Sequence, residues 1–266
     1  MEETLVDNRL FVMHHAPIKK RKGEIIGSQT DSSLSEYGIE VARRQANRVR
    51  QLLGSSALEG IGQIILSSPL RRAVQTSEII AKKCDMDILI DDRLKAQDFG
   101  ILDGMTFDEI LNNDALRHNL WDYIPEISRD SHKDHGGESN AEMVDRVAEF
   151  TKETIPAYNR IGTPLVITHG TVIDAMIASI DRRRLDEIEG KNRVFEGRVI
   201  KLTNDQYKPI GDPLSAFCFI PGVVEQESLE QQKSVIRNYI QTCDRPDERV
   251  HLNKLMDIFD REVGGI

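Results

Sequence analysis

The sequence predicts an α/β fold in three layers, with helices covering both faces of a mostly parallel central sheet. Two observations carry this reading. Short apolar runs of strand length alternate along the chain with stretches of helical apolar spacing, and basic side chains follow three of the four such runs. Leu10 to Met13 is the first run, bounded by polar residues and followed by a Pro- and Gly-containing basic stretch, so a buried strand should end at His14 and His15. From Ser35 the spacing turns helical: Ile39, Ala42, Ala46, Val49 and Leu53 share one face, Ser35 can cap, and Gly54 stops the helix.

Gln63 to Ser67 reads as a second strand, after which Ser68 and Pro69 offer an N-cap and a first-turn proline to a helix running towards Lys83. Ile88 to Ile90 is a third strand. Asp91 to about Gly137 is polar, Gly- and Asp-rich and only patchily periodic, which suits an insertion over a site. Ser139 and Glu142 form a capping-box pattern before a helix whose Met143, Val147 and Phe150 share a face. Pro164 to Thr168 gives the fourth strand, and His169-Gly170 leads into a helix near Thr171. Further strands are expected at Gly197 to Thr203 and Ser215 to Ile220, and two charged helices at Glu225 to Thr242 and Asp247 to Val263. Those helices either pack back on the domain or form a homodimer contact.

A net charge of −9 disfavours nucleic-acid or anionic-membrane binding, both of which call for a broad basic surface. Cys84, Cys218 and Cys243 stand far apart, in neither disulfide nor zinc spacing, so a reducing compartment is expected. With no secretory pattern at the N-terminus and no apolar run of about 20 residues, the chain reads as soluble and cytoplasmic.

The basic residues at the strand ends carry the chemistry. His14 and His15 follow the first strand, Arg72 the second and His169 the fourth, so one crevice should collect them, and that convergence suits an anion. Backbone N–H groups at the start of the helix after His169 would add donors for a phosphate oxygen. Taken singly, each of these residues is more simply a satisfied or solvated polar group.

Five ordered segments resolve the choice. FVMHHA, DSSLSEYGIEVA, SSPLRRAVQT, GGES and VITHG, spanning about residues 10 to 180, resemble the successive motifs of the histidine phosphatase (phosphoglycerate-mutase-like) superfamily. The resemblance implies a phosphoglycerate-mutase-like domain over 1–222, followed by a helical extension over 223–266. It makes His15 the nucleophile that accepts a phosphoryl group, Arg72 a grip on phosphate oxygens and His169 a stabiliser of charge on the transferring group. Glu138 and Ser139 match a pocket-supporting motif, Glu138 and Gly170 are expected among the substrate-binding residues, and no cofactor or metal is implied. His132 and His135, with Asp130 and Asp134 nearby, have a spacing that suits a metal, but their surroundings read as a loop.

Two positions depart from the family pattern. His14 stands where the family has an arginine, replacing a permanently charged fork by a group that titrates near neutrality; one lost charge-assisted contact in such a clamp costs about 2.7 to 4 kcal/mol. In DRLKAQDFGILDG, Ala96 stands where the family has the glutamate that protonates the leaving group, and Asp98, two residues on, is the nearest substitute. Lys19, in the basic run Lys19 to Lys22, is a candidate for restoring positive charge, although a solvated loop explains the run as well. The expectation is a phosphohydrolase acting on a small phosphorylated or anionic substrate. Its rivals are a phosphate-binding or interaction module on the same fold and an enzyme of altered, non-hydrolytic chemistry.

Overall fold

The computed structural model describes residues 9–21, 23–53, 61–116, 136–158, 162–181, 199–203 and 207–209. These divide into two compact units: one from the described parts of residues 1–19, 31–97 and 141–218, the other from those of 20–30 and 98–140. The strand expected at Ser215 to Ile220 and the helices from Val224 onward lie outside the described residues.

Among the described residues the first unit holds a six-stranded sheet. In chain order its elements are β1 (Arg9–His14), α1 (Glu36–Leu52), β2 (Ile61–Ser67), α2 (Arg71–Cys84), β3 (Asp87–Ile90), α3 (Asn140–Tyr158), β4 (Thr163–Thr168), α4 (Gly170–Asp181), β5 (Val199–Thr203) and β6 (Tyr207–Pro209). The strand order is β3-β2-β4-β1-β5-β6. β3, β2, β4 and β1 run parallel, whereas β5 pairs antiparallel with β1, and β6 antiparallel with β5. A parallel sheet must be covered on both faces, and the strand sequences provide for it. Leu10, Val12, Leu66 and Val166 face one way, packing with Met143, Val147 and Phe150 of α3 and Val172, Ile173 and Met176 of α4. Phe11, Met13, Ile65, Leu165 and Ile167 face the other, against Ala46 and Val49 of α1 and Ala73, Ile80 and Cys84 of α2. The side-chain period of two along β1, β2 and β4 therefore fills two apolar layers.

Helix starts show where local chemistry prevails and where it does not. Ser35 caps α1 as expected, its Oγ accepting from Gly38 N at 2.9 Å. Ser68 does not cap α2. That helix begins at Arg71 with Leu70 at the cap position, and Asp31 Oδ1 accepts the Arg71 N–H at 2.6 Å. A carboxylate distant in sequence thus takes one of the helix's orphan donors, while the Ser68 hydroxyl accepts from Leu70 N at 3.3 Å, outside the helix.

The second unit is held by a clasp between residues 20–30 and 98–109. Ile25 N donates to Met105 O and Gly104 N to Ile25 O, each at 2.8 Å. Asp103 accepts from Gly27 N, Gln29 N and the Thr30 hydroxyl. The basic run contributes Arg21 to this clasp: its guanidinium pairs with Glu24 and Glu109 and donates to the Gly104 carbonyl. Hydrogen bonds from Arg21, then from the Thr106 backbone, hold the Glu109 carboxyl down to about 2. A short helix (Phe107–Leu111) carries Glu109 and starts in a capping box with Thr106. Among the described residues no helix is long and apolar enough to cross a membrane.

In the first unit, Gly38 sits under the Pro17 carbonyl, and a Cβ built there would lie 1.8 Å from Pro17 O. Backbone cannot yield as a side-chain tip does, so Gly38→Ala should displace the start of α1 and cost about 1 to 3 kcal/mol. Chemical unfolding in urea measures this, and an unchanged midpoint would contradict it.

Candidate active site

β4 lies between β1 and β2, and the parallel ladder continues past the strand ends. His15 N donates to Thr168 O and Ser68 N to Ile167 O, each at 3.0 Å. The residues after the three strands are thereby brought side by side. His15 and His169 have ring centroids 5.1 Å apart, and His14 and His15 have theirs 4.2 Å apart. Arg72, on the first turn of α2, reaches back so that its Nε donates to His169 Nδ1 at 3.3 Å. His15, Arg72 and His169 are all buried.

The hydrogen bonds define ring states. His15 Nδ1 lies 2.8 Å from the Ala16 carbonyl. A carbonyl only accepts, so Nδ1 carries the proton and the neutral ring's lone pair is on Nε2. The same logic applies to His14, whose Nδ1 lies 2.8 Å from the His15 carbonyl. Its opposite edge meets the start of α4: a Cβ on Gly170 would lie 3.7 Å from His14 Nε2. Burial, followed by the permanent charge of Arg72, pushes His169 well below its ordinary value, so it is neutral.

The loop carrying His15 is tied to the helix carrying Arg72 by Thr76. Ala16 N donates to Thr76 Oγ1 at 3.0 Å, and that hydroxyl donates to Arg72 O at 2.7 Å. Ala16 is thus anchored through its N–H while its carbonyl orients His15. Thr76 closes the SSPLRRAVQT segment, but a partner 60 residues away gives no local signal.

Arg146 on α3 was likewise invisible in the sequence as a site neighbour. Its guanidinium donates to the carbonyls of Arg93 at 2.6 Å and Ala96 at 3.4 Å, and its charge also disfavours protonation of His169. Ala96 is buried with its backbone held in this way.

The remaining predicted residues are placed as follows. Lys19 is exposed, with its backbone N–H donating to Ser33 O. In the second unit, Asp98 Oδ1 accepts from Gln29 Nε2 and Gly100 N, each at 2.8 Å, and the Asp98 carbonyl accepts from Glu138 N at 2.8 Å. Gly137 is required there, because a Cβ would lie 2.7 Å from Asp98 O. His132, His135, Asp130 and Asp134 lie outside the described residues. Among the described residues no group of three or more His, Cys, Asp or Glu side chains is placed to hold a metal ion.

Two histidines and an arginine at adjacent strand ends coincide with a match of residues 10–209 to the model for histidine phosphatase superfamily branch 1. The chain belongs to this superfamily. Among relatives of histidine phosphatases, the "Probable phosphoglycerate mutase GpmB" of Proteus mirabilis is 28% identical over 175 residues, covering 65% of this chain and 74% of that protein. The mycobacterial glucosyl-3-phosphoglycerate phosphatase has a similar fold, with a TM-score of 0.59 at 21% identity, covering 76% of this chain and 97% of that one. The α-ribazole phosphatase of Shigella flexneri gives 0.60 at 20% identity, covering 73% and 89%. Both likenesses establish the histidine phosphatase fold, a mostly parallel sheet between helical layers.

The neutral state of His169 has a consequence for stability. The folded chain keeps this ring unprotonated below its ordinary value of 6.5, where the unfolded chain takes up a proton. Stability is therefore retained above that value and falls as pH drops through it, by up to about 1.4 kcal/mol per pH unit. His169→Asn removes the group. The difference in unfolding free energy between the natural chain and this variant should narrow from pH 7 to about pH 5, and parallel curves would contradict the assignment.

Proposed function

We propose that the chain is a phosphohydrolase acting on a small phosphorylated metabolite through a phosphohistidine intermediate. What supports this most is the His15 ring. With Nδ1–H donated to the Ala16 carbonyl, the Nε2 lone pair is the nucleophile that in-line attack on phosphorus requires. The phosphorus–oxygen bond to the leaving group breaks as the bond to Nε2 forms, and water then hydrolyses the phosphohistidine to free phosphate.

In this reading Arg72 and His169 hold the transferring oxygens, with His14 in the place of the family's arginine and the first N–H groups of α4, from Gly170, as further donors. Lys19 serves incoming anionic groups, Glu138 plays a supporting part, and Asp98 acts as the acid. The phosphatases named above act, by their names, on glucosyl-3-phosphoglycerate and α-ribazole phosphate, which favours a small phosphorylated substrate here. Hydrolysis is preferred to mutase chemistry, which would need the intermediate protected from water.

A second reading, a phosphate-binding module without turnover, draws on Ala96. It is a buried position with no carboxylate, and its carbonyl is held by Arg146. Without the usual acid, esters with acidic leaving groups should be preferred, because they depart without a proton.

Phosphate release from a panel of phosphomonoesters separates the readings. The natural chain should hydrolyse an aryl phosphate faster than an alkyl phosphate, His15→Ala should fall to background, and Arg72→Ala should lose about 10²- to 10³-fold in kcat. If the natural chain releases no phosphate while His14→Arg does, the binding-module reading replaces this one.

A further inference from the structure

The Ser68 hydroxyl, which does not cap α2, lies 2.8 Å from His169 Nε2. On the other side of the same ring, Arg72 Nε donates to Nδ1. A guanidinium has donors and no acceptor, so Nδ1 must offer its lone pair. A neutral imidazole carries one proton, which therefore sits on Nε2, and Ser68 Oγ is its acceptor.

The serine is itself held in place. Its N–H donates to Ile167 O, its carbonyl accepts from Ser67 Oγ at 3.0 Å, and Ser77 Oγ lies 2.9 Å from Ser67 Oγ. Ser67, Ser68 and Ser77 are each 0% exposed, so bulk water does not compete for these hydroxyls.

We propose that Ser68 is a positioning residue that fixes the proton of His169 on Nε2 and thereby, through the ring, sets the rotation of the Arg72 guanidinium. The opposite tautomer would set His169 Nδ1–H against Arg72 Nε–H, two donors facing each other, and Nε would lose this acceptor. Where Nε points decides where the two Nη groups point, and those form the edge that takes a phosphate in bidentate fashion. With both ring nitrogens of His169 engaged in this resting arrangement, Ser68 acts on the phosphate clamp of the proposed function through the orientation of Arg72, and its catalytic consequence rests on that reading.

Ring-nitrogen spectra test the assignment without requiring turnover. Two-bond proton–nitrogen correlations of the ¹⁵N-labelled natural chain, with His169→Asn to assign the signals, should show a protonated Nε2 and an unprotonated Nδ1 for His169. In Ser68→Ala, a change to a smaller side chain, this pattern should give way to a mixture of tautomers. With an aryl phosphate, kcat should fall at least about fivefold, the weight of one neutral hydrogen bond, with a smaller change in KM. A natural chain protonated at Nδ1 overturns the proposal, as does a Ser68→Ala variant with an unchanged spectrum, or one with unchanged kcat where the natural chain turns over. Should the natural chain hydrolyse nothing, the spectra still decide the tautomer, so failure of the phosphatase reading is told apart from failure of this one.

Discussion

The parallel pairing of β4 between β1 and β2 is the constraint on which the rest of the site depends. The three strands are distant in sequence, yet their ladder aligns Thr168 with His14 and Ile167 with Ser67. Once that register is set, whatever follows each strand emerges at the same edge. The chain places His15, Ser68 and His169 there, and the first turn of α2 adds Arg72. Apolar layers on both faces enforce the register, because a slip of one residue would exchange the Leu10–Val12 face with the Phe11–Met13 face.

Crowding basic groups into a buried space raises an electrostatic problem that the hydrogen bonds answer in part. Arg72 is 1% exposed and permanently charged, and a charge is costly to take out of water. His169 responds by staying neutral and accepting from the guanidinium, which turns a potential repulsion into a contact. At His14, whose ring lies 4.2 Å from that of His15, a permanent cation would add repulsion to this space, whereas an imidazole carries no permanent charge.

Much of the sheet and the histidine–arginine site was legible in the sequence, because both depend on short-range patterns. Two-sided burial writes continuous apolar runs such as Leu10 to Met13 and Leu165 to Ile167, and Ser35 caps a helix that begins at the next residue. Interactions spanning many residues were hidden. Ser68 beside Pro69 looks like a cap, and only the fold reveals that Asp31 supplies the acceptor for α2 and that the serine faces His169. Arg21 sits in a run that reads as a solvated loop, but its partner Glu109 lies 88 residues away. Thr76 and Arg146 gave no sign of their neighbours for the same reason. β6 is a three-residue edge strand ending in Pro209, too short for a periodic signal, and it escaped notice while β5 did not.

The account stands or falls on His15 Nε2 as the atom that takes the phosphoryl group. Rapid alkaline quenching of the natural chain during turnover of an aryl phosphate, followed by peptide mass spectrometry, reads this directly. The account predicts a phosphohistidine at His15, absent when the chain is quenched without substrate. Turnover with no adduct, or an adduct on His14 or His169 instead, would contradict it.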